Sequence, residues 1–332
     1  MAHIRKILAT LFAATTLVAC GGSDTNNSNG ITESTVSIGF SDYPVEGAEK
    51  VVITVDTLTF ISDGETIVVD TFTSEDLDVV DADTVTIDLL EVQNDDFKLV
   101  LDSVVLPVGN YTDLRIGILD EDTNLTYVEE IEGSAVKELK VPSDEIKLGA
   151  FTVDERSTQT FIVEFDLRQA MTYNPSPDRY ILKPRGVRIV SLISSAQILG
   201  HVDTLDLSAD TLCSEKLDIN VGNMMYLYAG HNLDANLLTD VFDPEIADSA
   251  PEGAISPYAV TSVDTLGDFQ ISFITPGNYT LAYSCLAESD ASDTYDNIIL
   301  PAPASEIVEL TLGDGEDAFC GFPLVDGVCS AE

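Results

Sequence analysis

Four cysteines in the second half of the chain, Cys213, Cys285, Cys320 and Cys329, carry the most definite chemistry. Four thiols allow three disulfide pairings. Joining Cys213 to Cys285 and Cys320 to Cys329 respects a division between core and tail, and is the expected arrangement. Zinc is the competing chemistry, but no pair has the short spacing of a zinc knuckle. Beyond His3 the histidines are His201 and His231. Neither stands in a nucleophile–base setting, and there is no Gly-x-Ser-x-Gly elbow and no phosphate-binding glycine loop. No catalytic residue and no cofactor are expected. Asp120-Glu121-Asp122-Thr123-Asn124 spaces its acids like a calcium loop, which makes Asp120, Asp122 and Asn124 candidate metal ligands. Leu125 stands where such a loop needs glycine, and Ile131 where it needs a bidentate glutamate, so a solvated hairpin tip is expected instead. Asp314-Gly315-Glu316-Asp317 is a similar, weaker case.

Two further groups could contact a ligand. The chain has 11 tyrosines and no tryptophan. Tyr226, Tyr228, Tyr258 and Tyr295 are candidates for stacking on a sugar, because a tyrosine ring joins an apolar face to a polar tip. Packing in the core is the competing use of such rings. Arg179, Lys183, Arg185 and Arg188 form a basic cluster that could hold an anion, and pairing with neighbouring carboxylates is the expected role.

The N-terminus has its own chemistry. Arg5 and Lys6 precede an apolar run from Ile7 to Ala19, too short for a comfortable membrane span of about 20 residues. A basic start, an apolar middle and a small-residue end are the pattern of an export signal. Leu17-Val18-Ala19-Cys20 resembles the lipobox of bacterial lipoproteins. That resemblance implies cleavage before Cys20, a diacylglycerol thioether on its sulfur and an N-acyl group. With Gly21 following, it also implies sorting to the outer membrane. Export would place the remaining cysteines in an oxidising compartment, where disulfides persist.

Charge narrows the partners. The formal balance is 15 − 58 = −43. Loss of residues 1–19 removes Arg5 and Lys6 and no acid, leaving 13 − 58 = −45. Such a surface repels nucleic acid and anionic lipid, so membrane attachment rests on the lipid anchor. Loose binding of divalent cations is expected, and the acidic excess reads as adaptation to a saline habitat. At 45% hydrophobic residues, the chain is not a disordered acidic tail.

The elements that would position these residues are strands. Residues 20–34 are Gly, Ser, Asn, Thr and Asp rich and read as a flexible tether, with a reach of about 20 Å. Val51, Ile53 and Val55 alternate, and Leu58 and Phe60 continue on the other parity, which predicts a β-bulge near Asp56-Thr57. Ser62-Asp63-Gly64-Glu65 predicts a hairpin turn. Alternation recurs at Val85-Ile87-Leu89, Phe97-Leu99-Leu101, Leu114-Ile116-Ile118 and Phe161-Val163-Phe165-Leu167. Turn-rich breaks at short intervals mark an antiparallel sandwich or barrel. Later strands are expected through Ile198-Gly200-Val202, Leu217-Ile219-Val221, Phe269-Ile271-Phe273 and Leu281-Tyr283. Gly109-Asn110-Tyr111-Thr112 and Gly277-Asn278-Tyr279-Thr280 repeat one motif, a turn feeding a tyrosine that can pin a corner by bonding upstream backbone.

Residues 36–192 resemble the family called domain of unknown function 4382, found in bacterial and archaeal lipoproteins. The matching pieces are Ser41-Asp42-Tyr43-Pro44-Val45, Val52-Ile53-Thr54-Val55, Pro107-Val108-Gly109-Asn110-Tyr111 with Leu114-Arg115-Ile116, Leu139-Lys140-Val141-Pro142-Ser143, Glu164-Phe165-Asp166-Leu167-Arg168 and Tyr180-Ile181-Leu182-Lys183-Pro184. The family name implies no activity. Residues 259–285 resemble carboxypeptidase regulatory-like, prealbumin-like sandwiches, grouped with starch-binding-like folds; their glycine-rich opening is reduced here to Gly200. The expected architecture is all-β, with two antiparallel sandwiches in tandem after the signal peptide (1–19) and the lipidated Cys20 with its tether (20–34). The first domain covers 35–195, the second 196–313, and 314–332 is a tail with a small cysteine loop. The expected function is a non-enzymatic envelope module for binding or structure, lipid-anchored at the outer membrane. A carbohydrate-binding role for the second domain, an envelope-protein partner and calcium binding are the alternatives.

Overall fold

A computed structural model describes residues 32–331, apart from positions 44, 46, 121, 246–249, 292–293 and 325–328. Cys20 and the apolar run before it lie outside the described residues. Among the described residues, no helix is long and apolar enough to cross a membrane. The fold is all-β, and among the described residues the two α-helices are single turns, Leu167–Ala170 and Thr204–Leu207.

The first sandwich sets a four-stranded sheet against a larger one. The smaller sheet runs in the order Val187–Ser191, Thr158–Asp166, Glu33–Tyr43, Lys98–Pro107. The larger is built around Ala48–Ser62 and Gly109–Ile118. Their inward faces share one apolar core that includes Ile38, Phe40, Val55, Phe60, Leu114, Ile116, Phe161 and Phe165. Ala48–Ser62 slips register against Gly109–Ile118 between Val55 and Thr57. Asp56 is therefore the extra residue of a bulge, as the change of parity requires. The strand then turns through Asp63-Gly64 into Glu65–Val69.

In the second sandwich one sheet runs Asp268–Ile274, Ala196–Val202, Ala318–Phe322, Ser330–Ala331. The other runs Ala259–Ser262, Met224–Ala229, Gly277–Ser284, Ile307–Leu312. Gly200 is required because a Cβ there would lie 2.2 Å from the Phe269 ring and 2.3 Å from the Cys320 carbonyl oxygen. The two tyrosine corners are alike. Tyr111 donates to the Pro107 carbonyl at 3.0 Å and Tyr279 to the Thr275 carbonyl at 2.7 Å, each four residues upstream.

Several expectations are corrected. The pairing is not wholly antiparallel: Glu33–Tyr43 runs parallel to Thr158–Asp166, Val136–Lys140 to Arg179–Leu182, and Ala196–Val202 to Ala318–Phe322. Residues 314–332 are not a tail, because Ala318–Phe322 is an inner strand whose Ala318, Cys320 and Phe322 are buried in the second core. Leu217-Ile219-Val221 is a turn-rich loop rather than a strand, with Leu217 fully exposed. Asp218 accepts from the Asn220 amide at 2.9 Å and Gly222 takes φ +68°, so local turn bonds displace the ladder. Leu89 and Leu167 begin short helical turns instead of extending their strands.

The described residues form one compact unit. Tyr43, the last residue of the first strand, belongs to the apolar core of the second sandwich. The two sandwiches are thus joined through a buried junction.

Candidate functional site

That junction brings together chemistry that the linear sequence scatters. Its floor is the outward face of the four-stranded sheet. Ser41 pairs with Glu164 and Tyr43 with Asp166 across the parallel strands, and Glu164 pairs with Arg188 on the other side. Period-two geometry therefore puts Ser41, Tyr43, Glu164, Asp166 and Arg188 on one face. The second sandwich covers that face.

Arg188 is the centre. Its guanidinium lies 5.2 Å from the Tyr43 ring centroid and 4.7 Å from that of Tyr258 in the second sandwich. The residue keeps some exposure, but Nε and Nη2 are closed off from solvent with no hydrogen-bond partner. Burial opposes its charge, yet Tyr258, Tyr43, Glu164 and Asp166 outweigh that and hold its pKa above the ordinary value. The Tyr43 hydroxyl donates to the Ser272 carbonyl. The next residue, Phe273, has φ +48°, a genuine outlier for a bulky side chain. The ladder slips register beside it, and its ring meets Phe97 of the first sandwich edge-on at 6.2 Å. The bulge re-aims Phe273 across the junction.

Asp166 caps the single helical turn that follows it, accepting from the Gln169 amide at 3.2 Å and its side chain at 2.6 Å. Gln169 also donates to the Tyr258 carbonyl at 3.2 Å. This turn swings Arg168 to the Asp290 carbonyl at 2.6 Å, with the Asp290 carboxylate 3.5 Å away. Tyr226 donates to that carboxylate at 2.5 Å. Gly186, at φ +79°, lets the chain return tightly, since a Cβ would press on Gln169 and the Asp166 carbonyl. Arg185 then reaches the Phe242 and Gln169 carbonyls, and Lys183 meets Asp243 at 2.7 Å and Glu245 at 2.5 Å. Burial works against the Asp243 anion, but Lys183, the Glu245 amide and Arg185 keep its pKa below the ordinary value.

Two carboxyl groups on the Arg188 face, Glu164 and Asp166, are fully buried, and so is Asp42 on the same sheet. Burial raises the pKa of each, to about 8 for Glu164 against the pull of Arg188. Asp42 faces the opposite way, into the first core. The Leu167 amide favours its anion, but neither carboxylate oxygen receives a hydrogen bond in good geometry. Ser41 lies beside Glu164 and favours its anion, but its hydroxyl donates to the Asp96 carbonyl at 2.8 Å, and neither Glu164 oxygen receives a hydrogen bond in good geometry. No cluster of three or more His, Cys, Asp or Glu among the described residues is arranged to hold a metal ion.

The residues singled out in the sequence fall as follows. Three of the four basic-cluster residues, Lys183, Arg185 and Arg188, serve the junction, while Arg179 pairs with Glu138 inside the first sandwich at 3.1 Å. Tyr226 and Tyr228 do not offer ring faces to a sugar: both are fully buried, with Tyr228 donating to the Thr239 carbonyl at 2.7 Å. Tyr258 turns its face to Arg188 and its edge to Tyr279. Tyr295 is half-buried against Phe242 and donates to Asn297. Asp120 does not join Asp122 and Asn124 in a cation loop. It is buried and occupied by Lys140 at 2.9 Å and the Val141 amide at 2.5 Å, while exposed Asp122 accepts from Asn124. Cys213 is joined to Cys285 and Cys320 to Cys329. His201 meets Asp268 at 2.7 Å on the surface, and His231 the Leu310 carbonyl at 2.9 Å. Neither is hydrogen-bonded to a serine, threonine or cysteine side chain among the described residues.

Arg168, Glu164, Asp166 and Tyr43 were not anticipated at the junction. One signal could have found Arg168. Residues 196–332 hold one lysine, Lys216, and no arginine, against 24 Asp and Glu. Lys216 is bound internally to Asn223 at 2.7 Å. The cations that meet the buried Asp243 and Asp290 come from the first sandwich.

The protein so defined is an all-β, two-sandwich chain with a charged, aromatic-lined internal junction. Residues 33–184 match the family described as "Domain of unknown function (DUF4382)". No curated protein sequence matches the chain. Among solved structures, the Bacillus anthracis TIE protein aligns at TM-score 0.19 and 10% identity, over 87% of this chain and 33% of its own. This chain thus spans about a third of that protein's length. A streptococcal ancillary pilin aligns at TM-score 0.21 and 8% identity, covering 87% and 67% respectively. A putative cell adhesion protein of Parabacteroides distasonis aligns at TM-score 0.19 and 8% identity, covering 90% and 97%.

Proposed function

We propose that this chain is a non-enzymatic module of the cell envelope, tethered through a lipid on Cys20, whose two sandwiches act as one rigid spacer. The observation that carries the reading is the polarity of the first strand. Glu33 lies beside Pro107, and Tyr43 at the other end contacts Ser272 of the second sandwich. Eleven residues of strand separate these points by about 33 Å, at roughly 3.3 Å per residue. A tether entering at Glu33 therefore attaches to the pole of the first sandwich remote from the second. The buried junction then fixes the second sandwich at the pole of the body opposite Glu33. Its surface, almost without cations, would be the part offered to other envelope components.

The test has two arms. Cys20→Ser should abolish acyl labelling and release the protein from the membrane fraction. In the lipidated protein, a probe at Leu266 should lie farther from the bilayer than one at Val105, as read by quenching from lipid-borne quenchers. Unchanged membrane fractionation of Cys20→Ser removes the anchor, and equal quenching removes the spacer.

A further inference from the structure

The junction holds more acid than its cations neutralise. Glu164 and Asp166 face the second sandwich from one strand, and Arg188 faces them from the next. Asp166 has Gln169 as a hydrogen-bond donor and feels Arg185 as well. Glu164 is fully buried; Arg188 and the neighbouring Ser41 hydroxyl favour its anion, but that hydroxyl donates to the Asp96 carbonyl and neither Glu164 oxygen receives a hydrogen bond in good geometry. Arg188 neutralises at most one of the two carboxylates, and it is spread between two aromatic rings rather than hydrogen-bonded to either acid. A buried carboxylate without hydrogen bonds costs far more than the neutral acid. Parting the sandwiches would return Glu164 to water, where the anion is favoured.

We propose that Glu164 is a proton-operated latch, clamping the two sandwiches while it carries a proton and loosening them when that proton passes to solvent. The direction follows from linkage. Closed, the group titrates near 8; opened, it returns to its ordinary value of 4.5. Opening is therefore least favourable below about pH 4.5, gains roughly tenfold per pH unit up to about 8, and levels off above that. The other groups facing Glu164 do not reverse this. Arg188 stays charged throughout, and burial pushes the Tyr43 hydroxyl further up, so it keeps its proton. Tyr258 faces Arg188 from the second sandwich. Asp166 is raised in the same sense and adds to the slope. Asp42 lies behind the sheet in the first core and stays dry when only the junction parts.

The test is hydrogen exchange on the full mature chain from pH 5 to 9, corrected for intrinsic rates. It reads the amides of Tyr258–Val260 and Val187–Val190 on the two sides of the junction. Protection there should fall roughly tenfold per unit between pH 5 and 8 and then flatten, while the core of the larger first sheet, at Ile53 and Ile116, changes little. Glu164→Gln should remove most of the slope, and Glu91→Gln, an exposed acid, should leave it intact. A junction flat with pH, or a full slope surviving in Glu164→Gln, overturns the latch. If Glu164→Gln does not fold, carbon-detected titration of the glutamate carboxyls in the unmutated chain decides. One glutamate titrating near 8 upholds the latch, and all titrating below about 6 refutes it.

Discussion

Replacing Arg188 with methionine keeps most of the side chain's length and volume and removes its charge, so the effect can be worked from its partners. Two aromatic contacts go, with ring centroids at 4.7 and 5.2 Å. Desolvated cation–π contacts contribute up to about 2 kcal/mol each, though methionine sulfur recovers part of that against the same rings. At pH 7 Glu164 largely carries a proton, so Asp166 is the buried acid that loses its counter-charge, and stranding one side of a buried charge pair costs about 3–5 kcal/mol. These terms overlap, because that acid escapes part of the cost by taking up a proton. The expected net loss is about 3–5 kcal/mol, a large share of the 5–15 kcal/mol typical of a folded domain. Urea unfolding at pH 7, with the m-value monitored, measures it. The loss should persist in 1 M sodium chloride, because a closed-off pair is screened little. Arg188→Lys should recover only part, since an ammonium cannot lie flat between two rings. Adding Glu164→Gln and Asp166→Asn to Arg188→Met should restore part of the lost stability. A loss below about 1 kcal/mol, or one that salt abolishes, would show that Arg188 is a surface residue in solution and refute the junction described above.

Two further outcomes are expected. Replacing Cys213 and Cys285 together by alanine frees a loop of 72 residues and should cost about 4 kcal/mol on the chain-entropy view, against about 2.5 kcal/mol for the nine-residue Cys320–Cys329 loop; equal effects on thermal unfolding would contradict that ordering. Sodium chloride should raise the melting temperature progressively, as the screening length falls from about 10 Å at 0.1 M to about 3 Å at 1 M, whereas calcium at fixed ionic strength should produce no saturating response, because Asp120 is already held by Lys140 and Val141. A stoichiometric calcium effect removed by Asp122→Ala would overturn this.

How far these features could be read from sequence depends on whether a strand has a wet face. Ala48–Ser62 alternates clearly enough for the sequence to place its bulge at Asp56. Thr158–Asp166 is buried on both faces from Phe161 onward. Its second face, carrying Ile162, Glu164 and Asp166, reads as solvent-facing in any period-two pattern, and so the junction was invisible there. Met224–Ala229 is a run without charges, the mark of a strand covered on both sides. Tyr226 and Tyr228 within it nonetheless stay candidates for either core packing or a surface ring on sequence alone, because a tyrosine's polar tip is compatible with either place. The Ala318–Phe322 strand joins its sheet parallel to a partner about 120 residues earlier, and no local pattern encodes such pairing.

Counting charges by segment would have recovered what periodicity missed. The second sandwich has almost no cations of its own, yet it buries Asp243 and Asp290. A buried carboxylate is tolerated when paired. The pairing must therefore come from outside that segment, and the first sandwich supplies it from Arg168 to Arg188, a stretch of 21 residues on two turns and an edge strand. This arrangement makes the second sandwich depend on the first for its charge balance as well as for its packing. It also explains why the sheet face that carries Arg188 tolerates Glu164. A positively charged edge meeting an acidic neighbour leaves room for one acid beyond exact pairing, and the least costly form of that acid in a dry junction is the protonated one. The basic cluster therefore does not mark a pocket for a soluble anion. Its anions belong to the same chain, and its remaining freedom is a proton.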